Sequence, residues 1–243
     1  MFGFPKRIIF LMAIVISSWI VSGLVTKVSG PDYPINKPIE QNVEKANIEP
    51  EVGKKVETTK SIEVSSNSQS IVLAGGCFWG IQEIFLHAKG VIKATAGYAG
   101  GDAQTAKYDL VSSGETKHAE AVEIIYNPDQ ISLEQILQIF FLIAHNPTEL
   151  NRQGPDIGHQ YRSEIFYSTP QQKEIATQYI ANLGKSKLPA PIATIVEPLN
   201  KFYPAEDYHQ NYVRNHPNET YVIVNDLPKL SLFKAVFPDL YVE

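Results

Sequence analysis

The stretch Ser70-Ile-Val-Leu-Ala-Gly-Gly-Cys-Phe-Trp-Gly-Ile-Gln-Glu-Ile-Phe-Leu-His-Ala-Lys-Gly90 changes its hydrophobic period part-way along. Ser70–Ala74 is a short apolar run with β-branched residues, which predicts a buried strand ended by Gly75-Gly76. From Phe78 the apolar residues fall at Phe78, Ile81, Ile84, Phe85 and Ala88, a helical spacing that stops near Gly90. Val91–Tyr98 and Ala119–Tyr126 read as two further strands. Ser132, with Gln135 placed as in a capping box, opens a helix that runs to about His145 and ends before Pro147. A strand over Tyr161–Ser168, a helix from Thr169-Pro170 to about Leu183, a strand over Ala193–Leu199 and a helix over Pro204–His216 complete the series. The order is β-α-β-β-α-β-α-β-α. Adjacent strands set between two helices predict an α+β fold, a two-layer sandwich with a split β-α-β (ferredoxin-like) core.

Outward from this core the chain of 243 residues is long enough for one good-sized hydrophobic interior. Residues 1–25 read as a signal or membrane-anchor segment. Lys6-Arg7 precede an uncharged apolar run from Ile8 to Val25, and a spanning helix needs about 17–25 such residues. The basic flank stays in the cytoplasm, so the rest is expected outside. It is expected to be membrane-anchored facing the periplasm or cell exterior, or secreted or periplasmic if the segment is cleaved. Residues 26–69, with Pro31, Pro34, Pro38 and Pro50, read as a flexible polar linker. Residues 70–217 form the predicted domain, and 218–243 a C-terminal tail whose role the pattern does not give.

The charge balance, 21 Lys+Arg against 26 Asp+Glu for a net of -5, argues against a general nucleic-acid binder, which needs a positive field. A single cysteine excludes an intrachain disulfide, a CxxC redox pair and a multi-cysteine zinc site. The histidines lack metal-ligand spacing, so no metal is expected. The cysteine itself, Cys77 in Gly75-Gly-Cys-Phe-Trp-Gly80, sits where a strand ends and a helix begins. Unpaired backbone N–H groups there favour anions, which predicts a lowered thiol pKa and a nucleophile at neutral pH. Phe78 and Trp79 would wall the sulfur with aromatic surface. A buried core cysteine beside two core aromatics is the plainer reading of the same residues.

Gly75-Gly-Cys-Phe-Trp-Gly80 resembles the active-site signature of the peptide methionine sulfoxide reductase A (MsrA) family. Further stretches follow in family order: Gly97-Tyr-Ala-Gly-Gly101, Lys107-Tyr-Asp-Leu-Val111, His118-Ala-Glu120, Asn151-Arg-Gln-Gly154 with Asp156, Gln160-Tyr-Arg-Ser163 and Phe202-Tyr-Pro-Ala-Glu-Asp207. The resemblance implies reduction of the S epimer of methionine sulfoxide, free or in oxidised proteins. It makes Cys77 the nucleophile, Glu120 the proton donor to the departing oxygen, and Tyr108 and Tyr161 hydroxyl donors to that oxygen. It makes Asp156 an orienting carboxylate and Phe78 and Trp79 the pocket for the S-methyl group. It implies no bound cofactor and a monomeric enzyme.

Family members often carry further cysteines near the C-terminus that reduce the sulfenic acid formed on the nucleophile. Here there are none: Cys77 is alone, and Ser112, four residues after Tyr108, stands where some relatives have another cysteine. An external thiol is therefore expected: a thioredoxin-like protein, glutathione, or dithiothreitol in vitro. Lys117 replaces a usual Gly, and Asn146 a usual Asp. Two other readings stay open on the residues: a Cys–His acyl hydrolase using His118 or His159, and a tethered module that binds without turnover.

Overall fold

A computed structural model describes residues 67–186 and 188–243, so residues 1–25, expected to be a signal or anchor, and nearly all of residues 26–69, expected to be a linker, lie outside the described residues. Strand β1 (Gln69–Gly75) leads into helix α1 (Phe78–Leu86), which returns to β2 (Val91–Ala99). A short helix α2 (Tyr108–Ser112) precedes β3 (Ala119–Tyr126). Helix α3 (Leu133–Ile139) follows, then the two-residue strands β4 (Arg152–Gln153) and β5 (Asp156–Ile157), strand β6 (Ser163–Tyr167) and helix α4 (Pro170–Leu183). The chain closes with β7 (Ile195–Pro198), β8 (Phe202–Pro204), α5 (Tyr212–Asn215) and α6 (Leu227–Val236).

The main sheet runs β7-β6-β1-β3-β2-β8, with only β6 and β7 parallel. β3 lies between β1 and β2, the pair that α1 connects, so the predicted split β-α-β core is present and the fold is α+β.

Strand alternation sorts the residues into layers. Ile71 and Leu73 pair with Ile124 and Val122, and Glu120 pairs with Tyr98, all on the face that carries α1. Val72, Ala74, Ala99, Ala119, Ala121 and Phe166 form the opposite face, covered by Leu199 and Phe202. Each fully buried large aliphatic or aromatic side chain stabilises the domain by about 1.5–3 kcal/mol relative to exposure.

The capping box at Ser132 is formed: Ser132 Oγ accepts the Gln135 N–H at 3.3 Å and Gln135 Oε1 accepts the Ser132 N–H at 2.9 Å. The helix it opens widens over Phe140–Ala144 into a π turn before His145 extends. The predicted helix over Pro204–His216 is not continuous. Phe202–Pro204 instead adds an edge strand to β2, and a 3₁₀ turn over Asp207–His209 leads to α5. The cause is Gln210: its Oε1 accepts the Ala96 N–H at 3.1 Å, and its amide donates to the Ala96 and Ala205 carbonyls. The side chain thus satisfies the edge of β2, and Asn211 turns left-handed at φ 55 to leave it.

The segment set apart as a tail packs on α1 through a π turn over Val222–Asp226 and then α6. Val222 and Phe233 are fully buried. Leu240 accepts the Lys89 N–H at 2.7 Å and Val242 donates to His87 O at 2.8 Å, which ties the C-terminal end to the far end of α1. Among the described residues, no helix is long and apolar enough to cross a membrane, and no group of three or more His, Cys, Asp or Glu is placed to hold a metal ion.

Candidate active site

Cys77 opens α1 as its N-cap, with φ -56 and ψ 128. The turn that delivers it needs Gly76: φ is 108, and a Cβ there would lie 2.7 Å from the Gln153 side chain. Glu120 comes up from β3 opposite Tyr98 and is only 2% exposed. Its Oε2 accepts the backbone N–H of Phe78 at 3.1 Å, which fixes the carboxyl beside the cysteine. Burial pushes the Glu120 pKa up to about 8, opposed by that N–H and helped by the Asp156 charge. The carboxyl is therefore mostly protonated at neutral pH.

The thiol does not follow the sequence expectation. Burial, then the charges of Glu120 and Asp226, hold the Cys77 pKa well above the ordinary thiol value, and the Trp79 backbone amide only partly offsets them. The helix end does favour an anion, but desolvation and the carboxylates outweigh it. The resting site pairs a thiol with a carboxylic acid.

Tyr108 stands at the start of α2, where its backbone N–H donates to Glu206 Oε1 at 3.0 Å. Glu206 Oε2 also takes the Tyr98 hydroxyl at 2.8 Å, so one carboxylate ties α2 to β2. Burial, then Glu120 and Cys77, push the Tyr108 hydroxyl up to about 12. Tyr161 ends a 3₁₀ turn before β6; burial, then Glu120, Asp156 and Cys77, raise its hydroxyl too. Both hydroxyls stay protonated and available as donors. Asp156 on β5 accepts the Tyr221 hydroxyl at 2.5 Å, and burial raises its pKa. Cys77, Glu120, Tyr108, Tyr161 and Asp156 thus share one electrostatic neighbourhood although they come from five separate places in the sequence.

The two aromatics part company. Phe78 is fully buried, packed on His209 at 5.1 Å and Tyr98 at 5.9 Å between ring centres. Trp79 is half-buried in an aromatic frame: Tyr212 stacks on it at 3.7 Å and 6°, and Tyr221 meets it edge-on at 5.9 Å. The indole N–H donates to His209 Nδ1 at 3.1 Å. His209 is neutral, its pKa lowered by burial, which leaves that nitrogen free to accept.

The sequence reading did not single out Glu206, His209, Tyr212, Tyr221 and Asp226. Glu206 and His209 lay within or beside a quoted motif, where a buried His after an acidic turn is a signal for a side-chain bond. Tyr221 and Asp226 fell in the segment read as a tail. Of the other histidines, His118 Nε2 bonds Asp102 O at 2.9 Å and His159 Nε2 bonds Thr116 O.

Residues 69–239 match the family model described as peptide methionine sulfoxide reductase. The chain belongs to the peptide methionine sulfoxide reductase family. It is similar to peptide methionine sulfoxide reductase MsrA 2 of Mesorhizobium japonicum, 50% identical over 182 residues, which cover 74% of this chain and 93% of that protein. A protein of the same name from Synechocystis sp. is 49% identical over 173 residues, covering 71% and 81%. Among solved structures, methionine sulfoxide reductase A of Corynebacterium diphtheriae superposes with a TM-score of 0.56 at 33% identity, covering 64% of this chain and 78% of that one. Reduced Mxr1 from Saccharomyces cerevisiae gives 0.55 at 33% identity, covering 64% and 89%. The peptide methionine sulfoxide reductase match runs through α6, so it includes Tyr221 and Asp226 with the rest of the site.

Proposed function

We propose that this peptide methionine sulfoxide reductase reduces methionine-S-sulfoxide, free or within oxidised proteins, with Cys77 as the oxygen acceptor. The observation that carries the reading is the buried Glu120 carboxyl held against the Phe78 N–H at the start of α1, next to the only cysteine of the chain; that burial pushes its pKa up to about 8.

In this reading the sulfoxide oxygen enters among the Glu120 carboxyl and the Tyr108 and Tyr161 hydroxyls. Donors aimed at an oxygen that gains negative charge lower the barrier most when water is excluded. Their pull makes the substrate sulfur electrophilic, and Cys77 sulfur attacks it. Glu120 gives its proton to the oxygen and regains one from the thiol. The oxygen ends on Cys77 as a sulfenic acid and methionine leaves, so the substrate sulfur is reduced by two electrons and the cysteine oxidised by two. One external thiol then displaces water to form a mixed disulfide, and a second releases Cys77. With no second cysteine in the chain, a thioredoxin-like protein or glutathione fills that role, and dithiothreitol replaces it in vitro. Trp79 in its aromatic frame supplies the apolar surface for the S-methyl group, with the buried Phe78 ring backing it 6.4 Å away, and Asp156 orients the site through Tyr221.

The apolar run after Lys6-Arg7 supports delivery outside the cytoplasmic membrane, where exposed proteins meet oxidants. The surroundings of Cys77 favour reduction over acyl hydrolysis: carboxyls and tyrosines face the sulfur, while His118 and His159 are engaged by backbone carbonyls. The experiment is turnover with each sulfoxide epimer in the presence of dithiothreitol. Methionine in excess over enzyme from the S epimer, and none with Cys77→Ser, is the expected result. Stoichiometric binding without methionine formation overturns it in favour of a binding module.

A further inference from the structure

The first turn of α1 carries no acidic residue, and its N-cap side chain makes no capping hydrogen bond. A carboxylate reaches that turn from elsewhere. Asp226, at the start of α6, lies directly on Gly80: a Cβ built there would be 2.2 Å from Asp226 Oδ1 and 3.0 Å from its Cγ. Gly80 is one turn from Cys77, on the same side of the helix. The missing side chain at position 80 is therefore what lets this carboxylate reach the cysteine's side of α1. Asp226 is 4% exposed and its Oδ2 has no hydrogen-bond partner among the described residues. Burying a carboxylate with an unsatisfied oxygen costs stability, and packing alone would be served better by an apolar residue.

We propose that Asp226 is a positioning residue that keeps the Cys77 thiol protonated while the active site is empty. The inference rests on Cys77 being the nucleophile. An anion one turn away opposes formation of a second anion on the sulfur. The other groups facing Asp226 are Cys77 and Glu83 of α1, Asp156 of β5, Tyr221, and Lys229 of α6, the last of which favours its charged form. Burial raises the Asp226 pKa to about 6, so it is charged at neutral pH. In a chain with one cysteine the benefit is direct. A thiolate waiting in an empty site is open to over-oxidation to sulfinic acid, and no second thiol in the chain stands by to trap the sulfenic stage.

The test reads thiol ionisation directly, without reductase turnover. Full-length protein, Asp226→Asn and Asp226→Ser are alkylated with iodoacetamide across pH, with near-ultraviolet circular dichroism reporting the fold. The midpoint is expected to fall in both variants by roughly 1 pH unit, with a matching rise in alkylation rate near pH 7.5. A folded variant whose midpoint is unchanged or higher overturns the proposal. So does a midpoint in the unaltered protein at or below the ordinary thiol value of about 8.5, which needs no variant. Loss of methionine formation with the alkylation shift intact would instead count against the proposed reaction.

Discussion

The backbone N–H of Phe78 donates to Glu120 Oε2 at 3.1 Å, so a single bond joins the first residue inside α1 to the buried acid on β3. Cys77 precedes Phe78, and the bond therefore sets the cysteine and the carboxyl relative to each other. With one oxygen occupied as an acceptor, the other is the natural carrier of the proton. Glu120 holds that proton up to about pH 8. The rate of methionine formation in a single turnover is expected to fall as pH rises through about 8. Glu120→Gln should lower that rate by about 10²–10⁴-fold and remove the fall near pH 8, with substrate binding largely kept. Rapid quench of a single turnover across pH checks both, and an unchanged rate removes Glu120 from the reaction.

Trp79 is held by two kinds of contact, a stack on Tyr212 at 3.7 Å and an N–H bond to His209. An aromatic pair contributes about 0.5–1.5 kcal/mol beyond its buried area. Tyr212→Leu should therefore raise KM by roughly 2–10-fold while leaving kcat within about a factor of two. Steady-state kinetics with free methionine sulfoxide tests this; a fall in kcat at constant KM would place Tyr212 in the chemistry instead.

The segment after Pro217 contributes to the core as well as to the site. Phe233 is fully buried, with Phe237 and Tyr241 edge-on to it at 6.3 and 5.6 Å. Removing such a ring costs about 3–5 kcal/mol, so Phe233→Ala should lower Tm by roughly 10 °C. Calorimetry that finds Tm unchanged would show that this segment is not integral to the domain.

His145 gives the protein an acid-sensitive element. It is buried between Phe140 O, which accepts from Nδ1 at 2.9 Å, and Ser163 Oγ, which donates to Nε2 at 2.7 Å. Burial lowers its pKa from 6.5 to about 3. The unfolded chain binds the proton first, so the stability His145 contributes is present above about pH 6.5 and is lost as pH falls toward 3. Glu120 and Asp226 run the other way, with folded values raised to about 8 and about 6, and favour the fold as pH falls. His145→Gln should lower Tm at pH 7 yet shrink the drop in Tm between pH 7 and 4. A steeper drop in the variant would contradict the assignment.

The regular core was legible because each element carries its own period. Ile71–Ala74 is the unbroken apolar run of a strand buried on both faces, Phe78, Ile81 and Phe85 repeat as a helix, and Ser132 with Gln135 announces a cap. The region from Phe202 to Asn211 was not, because its backbone groups are satisfied by the Gln210 side chain and by β2, partners that no local pattern displays. α6 is not announced locally because the stretch from Tyr221 is apolar and punctuated by Pro228, and within the helix only Phe233 is buried. At the site, Cys77 and Glu120 were legible from their motifs, whereas Asp226 depends on a contact with Gly80 far away in sequence. The thiol's ionisation was misjudged for the same reason. A helix start is visible in sequence, but burial and the carboxylates around the sulfur are tertiary facts.

The central claim is that Cys77 alone receives the oxygen and that an outside thiol must remove it. Purified, reduced protein mixed with excess methionine-S-sulfoxide and no reductant tests it by counting methionine against sulfenic acid trapped by dimedone. The account predicts one methionine and one trapped Cys77 per chain, with further methionine only after dithiothreitol is added. More than one methionine per chain without reductant, or methionine with no label on Cys77, would contradict it.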